Sequence, residues 1–270
     1  MKKIISLALA LVMICAMAVS LTACKTSDVK KIEKQGYFVC GVTVYEPMNF
    51  KNEKGEWTGF DTEFALAVAE EMGVDVKFQE IDWPQKYTEL NSGSIDLIWN
   101  GFTLGDEDGV SRTEYVDFTY AYLENRQCIV TKADKLTELN SKDAFKGKKA
   151  VAEGGSSGEA VATDLTGKSN VTTFTSQAKA LMELIAGNAD FAVIDYQMAK
   201  SMVGKADYAA LAINTAYEPE SEVYAIGCRK DSDLTAKINE AIKTLSENGT
   251  LEALAAKYGL TNDLIPKIGK

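Results

Sequence analysis

Apolar and polar positions alternate along this chain with two periods, and the places where the period changes mark its elements. Tyr37 to Val44 reads as a strand, and Asp61 opens a helix that Gly73 closes. Phe64, Ala65, Val68 and Met72 fall on one face of that helix. Val74 to Phe78 is a second strand, Pro84 opens another helix, and Ile95 to Trp99 is a short buried strand. This strand–helix–strand rhythm predicts an α/β fold built on parallel sheets with helices on both faces.

The pattern also repeats. Leu90-Asn91-Ser92-Gly93-Ser94-Ile95-Asp96-Leu97-Ile98-Trp99 is matched by Leu184-Ile185-Ala186-Gly187-Asn188-Ala189-Asp190-Phe191-Ala192-Val193. Each copy reads as a helix end, a glycine stop, an Asp and a buried strand. Five residues past each Asp lie Gly101 and Asp195, at the carboxyl ends of equivalent strands in two lobes. In open α/β sheets that end is where ligands bind.

The start of the chain breaks the rhythm. Lys2 and Lys3 precede an apolar run from Ile4 to Ala23, which ends in Leu21-Thr22-Ala23-Cys24. A basic start, an apolar stretch and small residues at the cut describe an export signal over 1–23. Cys24 after Leu-Thr-Ala resembles a bacterial lipobox, which would make it the lipidated first residue; an uncleaved anchor is the alternative. A polar linker over 24–36 is expected to follow.

Composition narrows the chemistry. The 270 residues suffice for about two domains. The net charge of −10 becomes −12 once Lys2 and Lys3 leave, with 27 basic against 39 acidic residues. That argues against nucleic acid or an anionic membrane surface as partner. The absence of histidine removes Ser-His and Cys-His catalysis and imidazole metal sites. No cofactor or metal is expected. Beyond the leader and Cys24, Cys40, Cys128 and Cys228 each lie in an apolar run, so buried core residues are expected rather than a disulfide framework.

The strand ends carry the candidate chemistry. Arg112, one of three arginines, follows shortly after Asn100-Gly101-Phe102-Thr103, and a guanidinium holds a carboxylate through two parallel hydrogen bonds. Thr103 and the neighbouring amides add donors. Asp195 suits an ammonium group. Glu153-Gly154-Gly155-Ser156-Ser157-Gly158-Glu159 follows the strand Lys149 to Ala152 and creates helix-start N–H groups that favour anions, although it is not a P-loop. Tyr45 and Trp83 offer aromatic walls. An Arg for one end, an Asp for the other and rings between them describe a site for an α-amino acid.

The chain resembles the extracellular solute-binding proteins of the polar amino acid family, the ligand receptors of ABC importers. The resemblance covers the mature chain. It rests on Tyr45-Glu46-Pro47-Met48-Asn49-Phe50, Gly55-Glu56-Trp57-Thr58-Gly59-Phe60-Asp61, Trp83, Gly93 to Thr103, Val116-Asp117-Phe118, Gly155 to Glu159, Gly187 to Asp195, Asn248-Gly249-Thr250-Leu251 and Lys257-Tyr258-Gly259. It implies a two-lobed periplasmic-binding-protein-like fold, each lobe a mostly parallel sheet flanked by helices. Lobe 1 would comprise 37–124 plus 223–270 and lobe 2 125–222, joined by crossings near Glu124 to Gln127 and Glu218 to Glu222.

By the same resemblance, Tyr45 and Trp83 are ligand walls, and Gly101, Thr103 and Arg112 match the carboxylate-binding set. Ser157 matches a second-lobe donor and Asp195 the ammonium acceptor, with Asn100 and Ser156 as further candidate ligand-binding residues. Glu153 stands where relatives touch the ligand side chain, and a buried carboxylate there hints at a cationic or amide-bearing ligand. One departure is four extra residues before Arg112, read as a longer acidic loop on the rim. The implied function is a non-enzymatic amino acid receptor, monomeric, lipid-anchored outside the bacterial cell membrane and docking on ABC permease subunits. A free-standing amino acid sensor and a dehydratase-like enzyme on the same fold are the alternatives.

Overall fold

A computed structural model describes residues 27–107, 109–266 and 268–269, so the export signal and Cys24 lie outside the described residues. Two sheets organise the chain. In the first the strand order is Asp75–Glu80, Tyr37–Val42, Leu97–Ile98, Gly227–Arg229 and Val116–Phe118. Its first three strands are parallel and the returning Gly227–Arg229 is antiparallel to both neighbours. The second sheet repeats the plan. Val171–Phe174, Ala150–Glu153 and Phe191–Asp195 are parallel, and Leu123–Lys132 and Leu211–Asn214 close it antiparallel. The repeat therefore maps onto the third parallel strand of each sheet. Gly93 and Gly187 both end their helices in the left-handed conformation, with φ of 81° and 85°, as a helix stop followed by a strand requires.

The chain passes between the sheets on two segments that pair with each other. Ser221–Tyr224 runs antiparallel to the start of Leu123–Lys132, with Glu222 opposite Asn125 and Ser221 opposite Arg126. These are the two crossings expected from the resemblance. The long strand Leu123–Lys132 continues into the second sheet, so the crossing is stiffened by ladder hydrogen bonds on both sides.

Packing follows the apolar faces. Phe60–Met72 buries Phe60, Phe64, Ala65 and Val68, and Phe64 meets Trp99 edge-on with ring centroids 5.0 Å apart. Leu234–Glu247 buries Leu234, Ile238, Ala241, Ile242 and Leu245 on one stripe. Cys40, Cys128 and Cys228 are buried free thiols, and burial pushes the thiol of Cys228 up to about 12.

The stretch 24–36 corrects one expectation. From Asp28 it is not a linker but the helix Asp28–Gln35, capped by the Ser27 side chain and burying Ile32. Arg229 pins its first turn, donating from Nε and Nη2 to the two Asp28 oxygens at 3.1 and 2.8 Å. The apolar stripe of Val29 and Ile32 was too short to stand out among the lysines. No helix of the described residues is long and apolar enough to cross a membrane.

Candidate functional site

The carboxyl ends of the two parallel strand sets face each other across a small cleft. The first lobe contributes Trp83, Asn100, Gly101, Thr103 and Arg112, and the second Gln127, Glu153, Ser156, Ser157, Gln177 and Asp195. Nine of the ten expected ligand residues thus line one space.

The first wall is cationic. Arg112 is 1% exposed. Its Nη1 donates to the Thr103 carbonyl at 2.9 Å, its Nη2 to the Gly155 carbonyl at 3.2 Å and its Nε to Glu107 at 3.3 Å. Phe102 stacks beneath, 5.2 Å from the guanidinium carbon. Three of the five N–H groups a guanidinium carries are thereby committed, which locks the plane and leaves two to hold an anion.

Beside it lies Lys86, a residue sequence reasoning missed. Its Nζ donates to Glu107 Oε1 and to the Gly155 carbonyl, each at 3.0 Å, and sits 4.4 Å from the Tyr87 ring centre. Burial lowers its pKa to about 8 against the pull of Glu107. Glu107 also accepts from the Tyr87 hydroxyl at 2.7 Å. The stretch before Arg112, expected as a longer loop, includes a short strand pair. Asp106–Glu107 pairs with Val110–Ser111 as a hairpin that turns Glu107 inward. The Asp-Gly pair at 108–109 was the available signal. Lys86 and Arg112 both reach from the first lobe to one carbonyl of the second, so Gly155 is where the lobes are clasped.

The second wall is anionic. Asp195 ends the strand Phe191–Asp195 and is buried. Its Oδ1 accepts from Asn125 at 2.7 Å and Gln127 at 2.6 Å, and its Oδ2 accepts from Gln177. The same two amides of Asn125 and Gln127 also donate to Glu222 Oε1, at 2.6 and 2.8 Å. Burial, with Glu222 close by, raises the Asp195 carboxyl to about 7, against the amide hydrogen bonds that lower it. Among the described residues no Lys or Arg forms an ion pair with Asp195. Asn125, Gln127 and Gln177 could not have been singled out from sequence, because side-chain amides on different elements meet only after folding.

Glu153 ends the strand Ala150–Glu153 and is 3% exposed. Its Oε1 is buried without a hydrogen-bond partner. Burial, reinforced by Asp195, pushes its carboxyl well above the usual range, while Lys86, the Gln177 backbone amide and Arg112 pull it back.

Four expectations change in detail. Tyr45 does not line the cavity; it is 1% exposed, with its hydroxyl 2.6 Å from that of Tyr224. It supports Gly101 from behind: at that φ of 56°, an added Cβ would lie 2.7 Å from the Tyr45 ring. Only glycine fits there. The Gly101 N–H is not available to a ligand either, because it donates to Asp61 at 2.7 Å. Asn100 lines the wall, but its side chain is tied to Thr43, accepting at 2.7 Å and donating to the Thr43 carbonyl at 3.0 Å. Ser156 is the N-cap of the helix Ser157–Thr166, its hydroxyl donating to the Glu153 carbonyl at 2.7 Å and accepting from Glu159 at 3.1 Å. The Gly155 N–H goes to Glu159. Trp83, Thr103 and Ser157 stay at the surface of the cavity, with the Trp83 ring edge-on to Phe102 at 5.5 Å.

The chain is similar to known amino-acid-binding proteins. The L-cystine-binding protein TcyJ of Escherichia coli K12 is 27% identical over 230 residues, covering 84% of each chain. The L-arginine-binding protein of Pseudomonas aeruginosa is 33% identical over 223 residues, covering 79% of this chain and 84% of its own. The crystal structure of an ABC uptake transporter substrate-binding protein from Streptococcus pneumoniae with bound histidine superposes with a TM-score of 0.76. It is 30% identical and covers 86% of this chain and 96% of its own. Residues 38–261 match one family model, and the chain belongs to the bacterial extracellular solute-binding proteins, family 3.

Proposed function

We propose that this protein captures an α-amino acid outside the cytoplasm and presents it to an ABC permease. The observation that carries the reading is the opposition of Arg112 and Asp195 across one cavity, each supplied by a different lobe. Arg112, with Thr103 and Ser157, holds the carboxylate, and Asp195 holds the ammonium. Each lobe alone offers half the contacts, so the ligand stabilises closure by its differential affinity for the closed form. The lobes divide at the paired crossings, 37–124 plus 223–270 against 125–222, with the helix Asp28–Gln35 joining the first. Cys24 carries the lipid that keeps the monomer at the cell membrane.

Binding rather than catalysis is favoured because the buried Asp195 is wrapped by three side-chain amides, an arrangement that holds its oxygens in position. The test is a thermal-shift panel of the proteinogenic amino acids on the purified protein. A ligand at 100 times its dissociation constant adds about 2.7 kcal/mol, which shifts the melting temperature by several degrees. Silence across all the amino acids, with turnover of a cyclohexadienyl acid such as prephenate, would replace the reading with an enzyme.

A further inference from the structure

Behind Asp195 stands a second carboxylate that is not part of the cavity lining. Asn125 Nδ2 donates to Asp195 Oδ1 at 2.7 Å and to Glu222 Oε1 at 2.6 Å. Gln127 Nε2 donates to the same two oxygens at 2.6 and 2.8 Å. Both N–H bonds of each amide are thereby used, and the two carboxylate oxygens are held within about 5 Å of each other. Register explains the arrangement. Asn125 and Gln127 share one face of Leu123–Lys132, with Glu222 opposite Asn125 on the returning crossing and Asp195 opposite Gln127 on the neighbouring strand. A pair of amides thus ties the ammonium pole to the crossing between the lobes.

Two carboxylates this close repel, and amides bring no net charge to offset them. Among the described residues neither forms an ion pair. The other ionisable groups around them supply no cation: Glu153, Tyr45, Tyr224 and Cys128 face Asp195, and Tyr45 and Tyr224 also face Glu222. Arg126 lies on the opposite face of its strand, against the Tyr196 ring and Glu218. Lys86 and Arg112 are engaged with Glu107 and the Gly155 carbonyl. Like charges in one site are relieved by taking up a single proton between them. Burial, with Glu222 close by, raises the Asp195 carboxyl to about 7. In a chain without histidine, the pair supplies a group that titrates near neutrality.

Building on the amino acid reading above, we propose that Glu222 is a positioning residue for the ammonium pole. Through Asn125 and Gln127 it makes Asp195 one half of a carboxyl pair that holds one proton, which the incoming ammonium displaces to solvent. The proton leaves a carboxyl oxygen for water, and no other bond forms or breaks. Capture of the amino acid near pH 6 therefore releases a proton, and acid favours release of the ligand.

Calorimetry from pH 5.5 to 8 tests this, with the unaltered protein and with Glu222→Gln, which keeps the acceptor oxygen and removes the charge. The probe is the tightest-binding L-amino acid of the thermal-shift panel other than histidine, whose own side chain titrates in this range. The unaltered protein should lose about thirtyfold in affinity between pH 8 and 5.5. It should also release a proton on binding at pH 6, seen as a buffer-dependent enthalpy. Glu222→Gln should lose only about fivefold over the same range, with the proton release at least halved. A purely structural Glu222 would instead weaken binding in parallel at every pH. That outcome overturns the proposal, as does an unaltered protein whose affinity ignores pH. If the variant does not fold, a carbon-13 NMR titration of the carboxyl groups in the unaltered protein decides. Shared inflections at Asp195 and Glu222 sustain the pair, and independent titration of the two overturns it. Binding of no amino acid at any pH is the separate failure of the amino acid reading.

Discussion

The two walls of the cavity are built from the same repeated unit, yet they solve opposite electrostatic problems. In the first lobe the strand end at Gly101 is followed by a guanidinium and a lysine that share one carboxylate, Glu107, and one carbonyl of the other lobe. In the second, the strand ends supply Glu153 and Asp195, and Asp195 is held by neutral amides with the Glu222 carboxylate close by. The first wall keeps a net positive charge, two cations held by one shared carboxylate. The second carries two buried carboxyls whose protonation burial favours. A repeat thus sets where groups stand, and the side chains at the strand ends decide what each lobe asks of the ligand.

The largest effect expected from breaking this contrast comes from its two poles. Arg112→Ala and Asp195→Ala should each weaken binding by at least about 30-fold by calorimetry, since removing one partner of a buried charge pair costs about 2–5 kcal/mol. An affinity within threefold of the original for either variant removes that residue from the site.

pH separates the walls next. With its carboxyl at about 7, Asp195 takes up a proton as the solution is acidified, and the ammonium loses its counter-charge. Affinity should fall toward roughly tenfold per pH unit below 7, whereas Lys86, at about 8, keeps its charge throughout. The stability of the protein without added ligand runs the other way. Asp61 and Asp195 both stand near 7 when folded, against 3.8 as their ordinary value. Between about pH 4 and 7 the folded chain holds more protons than the unfolded one. Stability is therefore greatest at the acidic end of that window and is lost as pH rises through 7. Denaturant melts at pH 5 and 7.5 check the sign.

Glu107→Ala should have a smaller effect, because the site keeps its poles and loses only the carboxylate that holds Lys86 and Arg112 against the Gly155 carbonyl. Lys86 and Arg112 are left without their shared carboxylate, and ligand release measured by stopped flow should accelerate about tenfold, with about 1–3 kcal/mol lost in stability. An unchanged release rate would show that the hairpin is incidental to closure. Ser156→Ala is the smallest expected change. It removes a helix cap for about 1 kcal/mol, read as a lower denaturation midpoint, and leaves affinity within a few-fold.

What could be read from the chain beforehand divides along the same line. The repeat, its glycine stops and the strand ends were legible because each is a local pattern; so was Asp195, which ends one of those strands, whereas Arg112, nine residues past Thr103, stood out as one of three arginines. Lys86 and Glu107 were not, since a long side chain on a helix and one on a hairpin find each other only when both elements are placed. Tyr45 looked like a wall because it follows a strand, but its ring fills the space behind Gly101 that a side chain would otherwise occupy. Ser156 carried the right chemistry for a ligand and is used by the backbone instead. The helix Asp28–Gln35 hid in a lysine-rich stretch, because its anchor is Arg229, two hundred residues away.

The division of labour between the walls is tested most directly by a ligand–residue cycle. Take the tightest amino acid of the panel and its decarboxylated amine, and titrate both into the unaltered protein and into Arg112→Ala. If Arg112 holds the carboxylate, the unaltered protein prefers the amino acid by 100-fold or more and the variant binds the two ligands almost equally. A variant that keeps the full preference would place the carboxylate elsewhere and contradict the account.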